Sequence, residues 1–254
     1  MHVAITGASS GIGEGLVREY VAAGASVTLV ARRKERMEAI ANDVGGTTLV
    51  IAKDLSDPNT ASDWIDEAEE ALGPIDVFIN NAGVQIVGPL VKTDPADGDW
   101  LLAVDLNSTL RLVRAILPRM LERNQGTIVN IASLAALAPT PGMFYYSAAK
   151  AGFAAASESL NGELRDSEVN VLTVYPGPVT TDMANEAFDA YGEKAPPKIL
   201  PEGNTKTLAR RIRRAVLSKR KRLIYPRWYI MARHFPALTR WIMDNFAPVP
   251  EGKS

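Results

Sequence analysis

The glycines near the start of this chain constrain its fold more than any other feature. His2-Val-Ala-Ile-Thr6 is a short apolar run of the kind that forms a buried strand. It leads straight into Gly7-Ala-Ser-Ser-Gly11-Ile-Gly13, and an amphipathic stretch follows from Ile12 to Ala23. A strand that turns into a helix through glycines brings backbone N–H groups and the positive end of the helix dipole to one point, which suits a pyrophosphate. The spacing differs from the common G-x-G-x-x-G fingerprint, so a purely structural glycine turn is the competing reading.

Further along, apolar runs alternate with amphipathic segments. Strands are expected near residues 2 to 6, 26 to 31, 47 to 52, 75 to 80, 126 to 132, 169 to 175 and 222 to 225. Runs such as Val27-Thr-Leu-Val30 and Val77-Phe-Ile79 suit strands covered on both faces, and right-handed crossovers then give an α/β fold. The expectation is a doubly wound parallel sheet of about seven strands with helices on both faces. Ligands bind at the carboxyl ends of such strands, and Gly7 to Gly13, Asn80 to Gly83, Ser133 and Pro176 all follow expected strands.

A chain of 254 residues with 46% hydrophobic content is large enough for one core, so a single domain over 1–254 is expected. There is no cysteine and there are two histidines, which excludes disulfides and thiolate chemistry and leaves no multi-histidine metal site. The first expected strand starts at residue 2, leaving no room for a signal peptide ahead of it, and no apolar run reaches 18 residues. A cytoplasmic setting is the expectation.

Tyr146-Ser-Ala-Ala-Lys150 places a phenol and an ammonium on one helix face, because residues i and i+4 are neighbours there. A free phenol titrates near about 10, and a nearby cation favours phenolate. A surface pair with this spacing by chance is the plain alternative. Adjacent Tyr145 is a rival, yet only Tyr146 stands four residues before Lys150.

Together, Thr6-Gly7-x-x-x-Gly11-x-Gly13, Asn80-Asn81-Ala82-Gly83, Ser133, Tyr146-x-x-x-Lys150 and Pro176-Gly177 resemble the short-chain dehydrogenase/reductase family in its compact branch. The resemblance covers about residues 2 to 182 closely. It implies a Rossmann-type fold and hydride transfer between a nicotinamide and a carbonyl or secondary alcohol. Tyr146 is then the proton donor or acceptor, and Lys150 lowers its pKa and holds the nicotinamide ribose. Ser133 orients the substrate oxygen. Asn107, in Val104-Asp-Leu-Asn107-Ser, is expected to interrupt a helix and hold a water that relays protons to Lys150; a plain polar helix residue is the alternative.

The same resemblance implies cofactor contacts from Gly7, Ser9, Ser10, Gly11, Ile12 and Gly13, from Asp54 and Leu55, from Asn81, Ala82 and Gly83, and from Pro176, Gly177, Val179 and Thr181. After the second strand, Ala31 stands where an acidic residue would bind a ribose 2′-hydroxyl, and Arg32 and Arg33 follow. Arginines there can pair with a 2′-phosphate, so NADP(H) is expected, with Arg32 ahead of Arg33. Substrate contacts are expected from Ser133 and Tyr146 with Gln85, Met143, Met183 and Phe188. The irregular stretch at about 182–204, with Pro196-Pro197, Pro201 and apolar Met183, Phe188, Tyr191, Ile199 and Leu200, is read as a substrate lid.

From Lys206 to Arg240 there are twelve basic residues and no acidic one, and an aromatic stretch, Trp228 to Phe246, overlaps this run. A basic, Trp-rich segment over about 226–254 can lie on an anionic membrane surface, or it can pack on a partner subunit or cover the site. Nucleic-acid binding is not expected, since no recognition motif accompanies the charge. Small and apolar faces on the helices near 105 to 122 and 147 to 166 resemble the family's subunit interface, so a homodimer or homotetramer is expected. An NADP(H)-sensing binding protein with little turnover is the rival to the oxidoreductase reading.

Overall fold

The structure is a computed structural model and describes residues 1–192 and 202–250. Pro196, Pro197, Ile199, Leu200 and Pro201 of the expected lid lie outside the described residues.

Seven strands form the sheet: β1 His2–Thr6, β2 Ser26–Ala31, β3 Thr48–Ala52, β4 Val77–Asn80, β5 Gly126–Ile131, β6 Val169–Pro176 and β7 Arg222–Tyr225. All pair in parallel, in the order β3-β2-β1-β4-β5-β6-β7. Every residue of β1, β4 and β6 is buried, which is why these strands read as continuous apolar runs. The chain winds outward from β1 through β2 to β3, then returns to β4 and winds the other way. A crevice therefore opens between β1 and β4 at their carboxyl ends.

Helices cover both faces. On one, α1 (Gly11–Ala22), α2 (Lys34–Val44) and α8 (Thr205–Leu217) bury Leu16, Tyr20, Met37, Leu208 and Ile212 against the sheet. On the other, α3 (Ile65–Leu72), α5 (Thr109–Glu122) and α6 (Phe144–Glu163) bury Ile65, Leu112, Ile116 and Phe153. The remaining helices are α4 (Pro95–Leu102), α7 (Asp182–Asp189), α9 (Ile230–His234) and α10 (Pro236–Phe246). The expected irregular lid thus begins with a helix, capped where the Thr181 hydroxyl accepts from the Ala184 N–H at 3.1 Å.

Between α4 and α5 the backbone widens into a π-type turn over Ala103–Ser108. The helix is interrupted where the sequence suggested, and the extra residue in the turn changes which side chain points inward.

The basic run is less segregated in space than in sequence. Arg213 pairs with Glu19 at 2.7 Å, Arg222 and Arg233 both pair with Glu158 of α6 at 2.9 and 2.7 Å, and Arg240 pairs with Asp244 at 2.8 Å. Glu158 therefore ties β7 and α9 to α6. Burial alone pushes its carboxyl up, but hydrogen bonds from Arg222, Arg233 and Tyr175 outweigh that and hold it at about 2. A carboxyl depressed on folding contributes stability above its unfolded value, and that contribution is lost as pH falls through the folded one. The melting-temperature difference between the wild type and Glu158→Gln is expected to be largest above pH ~5 and to close as pH approaches about 2. A difference independent of pH across that window would remove this clamp from the stability of the C-terminal segment.

Candidate active site

The carboxyl ends of the strands open into a cleft of about 1400 Å³. Its inner end is built by the turn after β1. Gly7 has φ +66°, and a Cβ there would meet Ala82 Cα at 2.8 Å; a Cβ on Gly13 would meet the Gly7 carbonyl oxygen at 2.1 Å. Only glycine permits these approaches. Gly13 thus lies beneath the cleft as a packing residue, while Gly7, Ser9, Ser10, Gly11 and Ile12 line it. No side chain caps α1, which leaves its first-turn N–H groups available to an anion. This cradle fits a dinucleotide pyrophosphate.

Thr6 fastens the two halves of the sheet behind it. Its hydroxyl accepts from the N–H groups of Asn81 and Ala82, both at 3.0 Å, and Asn81 Nδ2 donates to the Thr6 carbonyl at 2.9 Å. Asn81 is therefore a brace as much as a cleft wall. Gly83 keeps its place for space: a Cβ there would lie 3.1 Å from Lys150 Nζ.

Ala31, Arg32 and Arg33 reach the same cleft. Arg33 donates to Ser9 Oγ at 2.9 Å and to Ser10 Oγ at 2.7 Å, tying the glycine turn to the end of β2. Arg32 is exposed and has no acidic partner among the described residues. Asp54 lines the cleft and accepts from the Ser56 N–H at 2.9 Å, and buried Leu55 anchors the π-type turn by accepting from Ser108 Oγ at 2.6 Å. On the opposite wall Pro176, Gly177, Val179 and Thr181 follow β6, with the Gly177 N–H bonded to the Tyr225 carbonyl at 2.7 Å.

Tyr146, Lys150 and Ser133 line the same cleft. α6 is rich in alanine, a strong helix former, and sets Tyr146 and Lys150 on one face, with Lys150 Nζ 5.7 Å from the Tyr146 ring centroid. Ser133 caps the short turn that follows β5, and its hydroxyl faces the phenol. Tyr145 instead packs on α4, its ring filling the space above Gly98. The i+4 spacing thus selects the tyrosine that reaches the site.

Asn107 does not reach this centre. It is exposed on the outside of the π-type turn, and Asp105, two residues earlier, points inward. Asp105 Oδ2 lies 3.0 Å from Lys150 Nζ, and Oδ1 accepts from the Val84 N–H at 2.7 Å. Local spacing could not supply this contact, because Asp105 and Lys150 lie on different elements far apart in the chain.

The electrostatics follow. Burial pushes the Tyr146 phenol up from its ordinary value; Lys150 pulls it down, Asp105 pushes it up, and the Ser133 hydroxyl favours the phenolate. The net direction is upward, so the lowering expected from Lys150 is outweighed in this state. Burial opposes charge on Lys150, but Asp105 more than offsets that and holds the ammonium.

The outer cleft is walled largely by apolar side chains, with Asp97, Asp182 and Glu186 among the charged ones. Met183 and Phe188 of α7 line it with Met143 and Gln85, whose Nε2 lies 3.7 Å from Met143 Sδ. The C-terminal segment, for which a site cover was one of the readings from the sequence, also lines the cleft, with Tyr229, Ile242, Met243 and Phe246, none of them singled out there as site residues. That segment is therefore a cover, with its other side open. No group of His, Asp or Glu that could hold a metal is present among the described residues.

A doubly wound sheet with an anion cradle at its switch point and a Tyr–Lys pair in the same cleft fits an oxidoreductase built around a nicotinamide dinucleotide. The short chain dehydrogenase family profile matches residues 1–192, and the chain belongs to that family. It is 35% identical over 185 residues to a short chain dehydrogenase of Pseudocercospora fijiensis, covering 70% of this chain and 60% of that protein's length. A fatty acyl-CoA reductase of Mycobacterium tuberculosis is 34% identical over 195 residues, covering 74% of this chain and 66% of that one. Among solved structures, a short-chain dehydrogenase of Sphingobium yanoikuyae in complex with NADPH superposes with a TM-score of 0.79 at 28% identity, covering 93% of this chain and 94% of that one.

Proposed function

We propose that this oxidoreductase uses NADP(H) and reduces an apolar ketone or aldehyde, or oxidises the corresponding alcohol. The observation that carries the reaction is Tyr146, Lys150 and Ser133 meeting at one point of the dinucleotide cleft. Bound there, the nicotinamide supplies or accepts the hydride. Ser133 hydrogen-bonds the substrate oxygen, Tyr146 gives it a proton in reduction or takes one in oxidation, and Lys150 holds the ribose and the phenol in register. The apolar outer wall and the fatty acyl-CoA reductase relative support an apolar substrate. A sensing role with little turnover is disfavoured by the assembled proton-transfer groups. NADPH oxidation against a panel of carbonyl compounds should find turnover. Tyr146→Phe should lower kcat at least about 10²-fold while leaving NADPH affinity nearly unchanged; retained turnover would remove Tyr146 as the acid.

Ala31 in place of a carboxylate, with unpaired Arg32 beside it, supports a 2′-phosphate. The wild type is expected to bind NADPH more tightly than NADH, and Ala31→Asp with Arg32→Ala to reverse the order. Equal affinities in the wild type would refute the assignment.

The described residues contain no helix long and apolar enough to cross a membrane. Yet α10 has no buried residue, and Leu238 and Trp241, which do not line the cleft, are 50% and 56% exposed. Exposed Arg220, Lys221 and Arg227, without acidic partners among the described residues, stand at the start of this segment. We assign this face to an anionic membrane surface and the exposed Ala148, Gly152 and Ala155 face of α6 to a second copy of the chain. Light scattering should then give at least a dimer mass, and the protein should sediment with anionic vesicles at low salt and be released as salt rises. Trp241→Glu should abolish sedimentation and leave the mass unchanged; loss of the oligomer in that variant would move α10 to the subunit interface.

A further inference from the structure

The buried Asp105 carboxylate gives the proton-transfer centre a charge balance that Tyr146 and Lys150 alone lack. Asp105 is fully buried, one oxygen fixed by the Val84 N–H at 2.7 Å and the other 3.0 Å from Lys150 Nζ. Lys150 is itself only 4% exposed. Burial pushes the Asp105 carboxyl up from its ordinary value, while Lys150 and the Val84 N–H pull it down; with both groups buried, the pair acts strongly on whatever else lies within a few ångströms. What lies there is the Tyr146 phenol.

We propose that Asp105 is a charge-compensating, positioning residue: its carboxylate cancels the Lys150 ammonium beside Tyr146, so the phenol keeps its proton at neutral pH and the centre works as an acid toward a carbonyl. The proposal rests on Tyr146 as the proton donor. It adds a preferred direction of chemistry, since an acid must begin protonated and a base must begin as phenolate.

The surroundings restrict the alternatives. Lys150 from the same helix and Asp105 from the π-type turn are the charged groups that act on the phenol. β5 and the turn after it bring only uncharged residues, Ala132 to Leu137, and the segment after β4 brings Gly83 and Val84. α4 brings Asp97 to the cleft wall. Asp105 raises the phenol where Lys150 lowers it. A side chain of the same shape without charge would leave the ammonium uncompensated, and the phenolate would then form at lower pH.

Asp105→Asn tests this directly, because an amide oxygen can still accept from the Val84 N–H. With a substrate found in the carbonyl panel and with its alcohol, kcat is followed against pH in both directions. In the variant, the basic limb of reduction and the acidic limb of oxidation should both move to lower pH by about one unit or more. The ratio of oxidation to reduction rates at pH 7 should rise accordingly, by about tenfold, with the KM for NADPH little changed. Asp105→Glu should keep both limbs near their wild-type positions even if kcat falls. Asp105→Ser replaces the asparagine variant if thermal melting shows that the latter does not fold. Unmoved limbs in a folded, uncharged variant would overturn the proposal and leave Asp105 a structural contact. Full turnover of Tyr146→Phe would overturn it together with the proton-donor assignment, so the two failures are distinguishable.

Discussion

Thr6 is the point where the two windings of the sheet are joined. Its hydroxyl holds the N–H groups of Asn81 and Ala82, so the segment leaving β4 is pinned to the last residue of β1. Everything in the cleft is referred to that seam. The glycine turn leaves β1 one residue later and packs on Ala82, Gly83 stands over Lys150, and Val84 fixes Asp105. One seam at the switch point thus holds the glycine turn and the segment that packs against Lys150 and Asp105 in one frame.

The centre then shows why local spacing does not set an acid's strength. Desolvating an ion pair costs several kcal/mol per ion even after relaxation, and it is tolerated only when both charges find partners. Asp105 finds two, the Lys150 ammonium and the Val84 N–H. Without the carboxylate, burial would act unopposed against charge on Lys150, and an ammonium kept there would favour the phenolate beside it. With the carboxylate present, burial dominates and the phenol stays protonated.

The C-terminal segment serves two surfaces at once. Its inner residues, Tyr229, Ile242 and Met243, close the outer cleft, while Trp241 and Leu238 stay in solvent. Arg233 of α9 is fastened to Glu158 of α6, the helix that carries Tyr146 and Lys150. The cover and the Tyr146–Lys150 pair are therefore attached to the same helix.

Features that depend on residues close in the chain were legible from the sequence. The seven strands fall within two residues of their expected limits, because fully covered parallel strands read as unbroken apolar runs. The glycine turn was legible because positive φ and close approach leave few residue types, and Tyr146 was separated from Tyr145 because helix geometry alone puts it beside Lys150. Tertiary structure decided what distance along the chain hides. Asp105 rather than Asn107 meets Lys150, a contact between two elements far apart in the chain that no local periodicity records. The basic tail, segregated in sequence, finds Glu19 and Glu158 only through packing. A helix whose exposed face is apolar lies over the cleft because the chain beyond β7 turns back toward it, and no spacing within residues 226–250 specifies that direction.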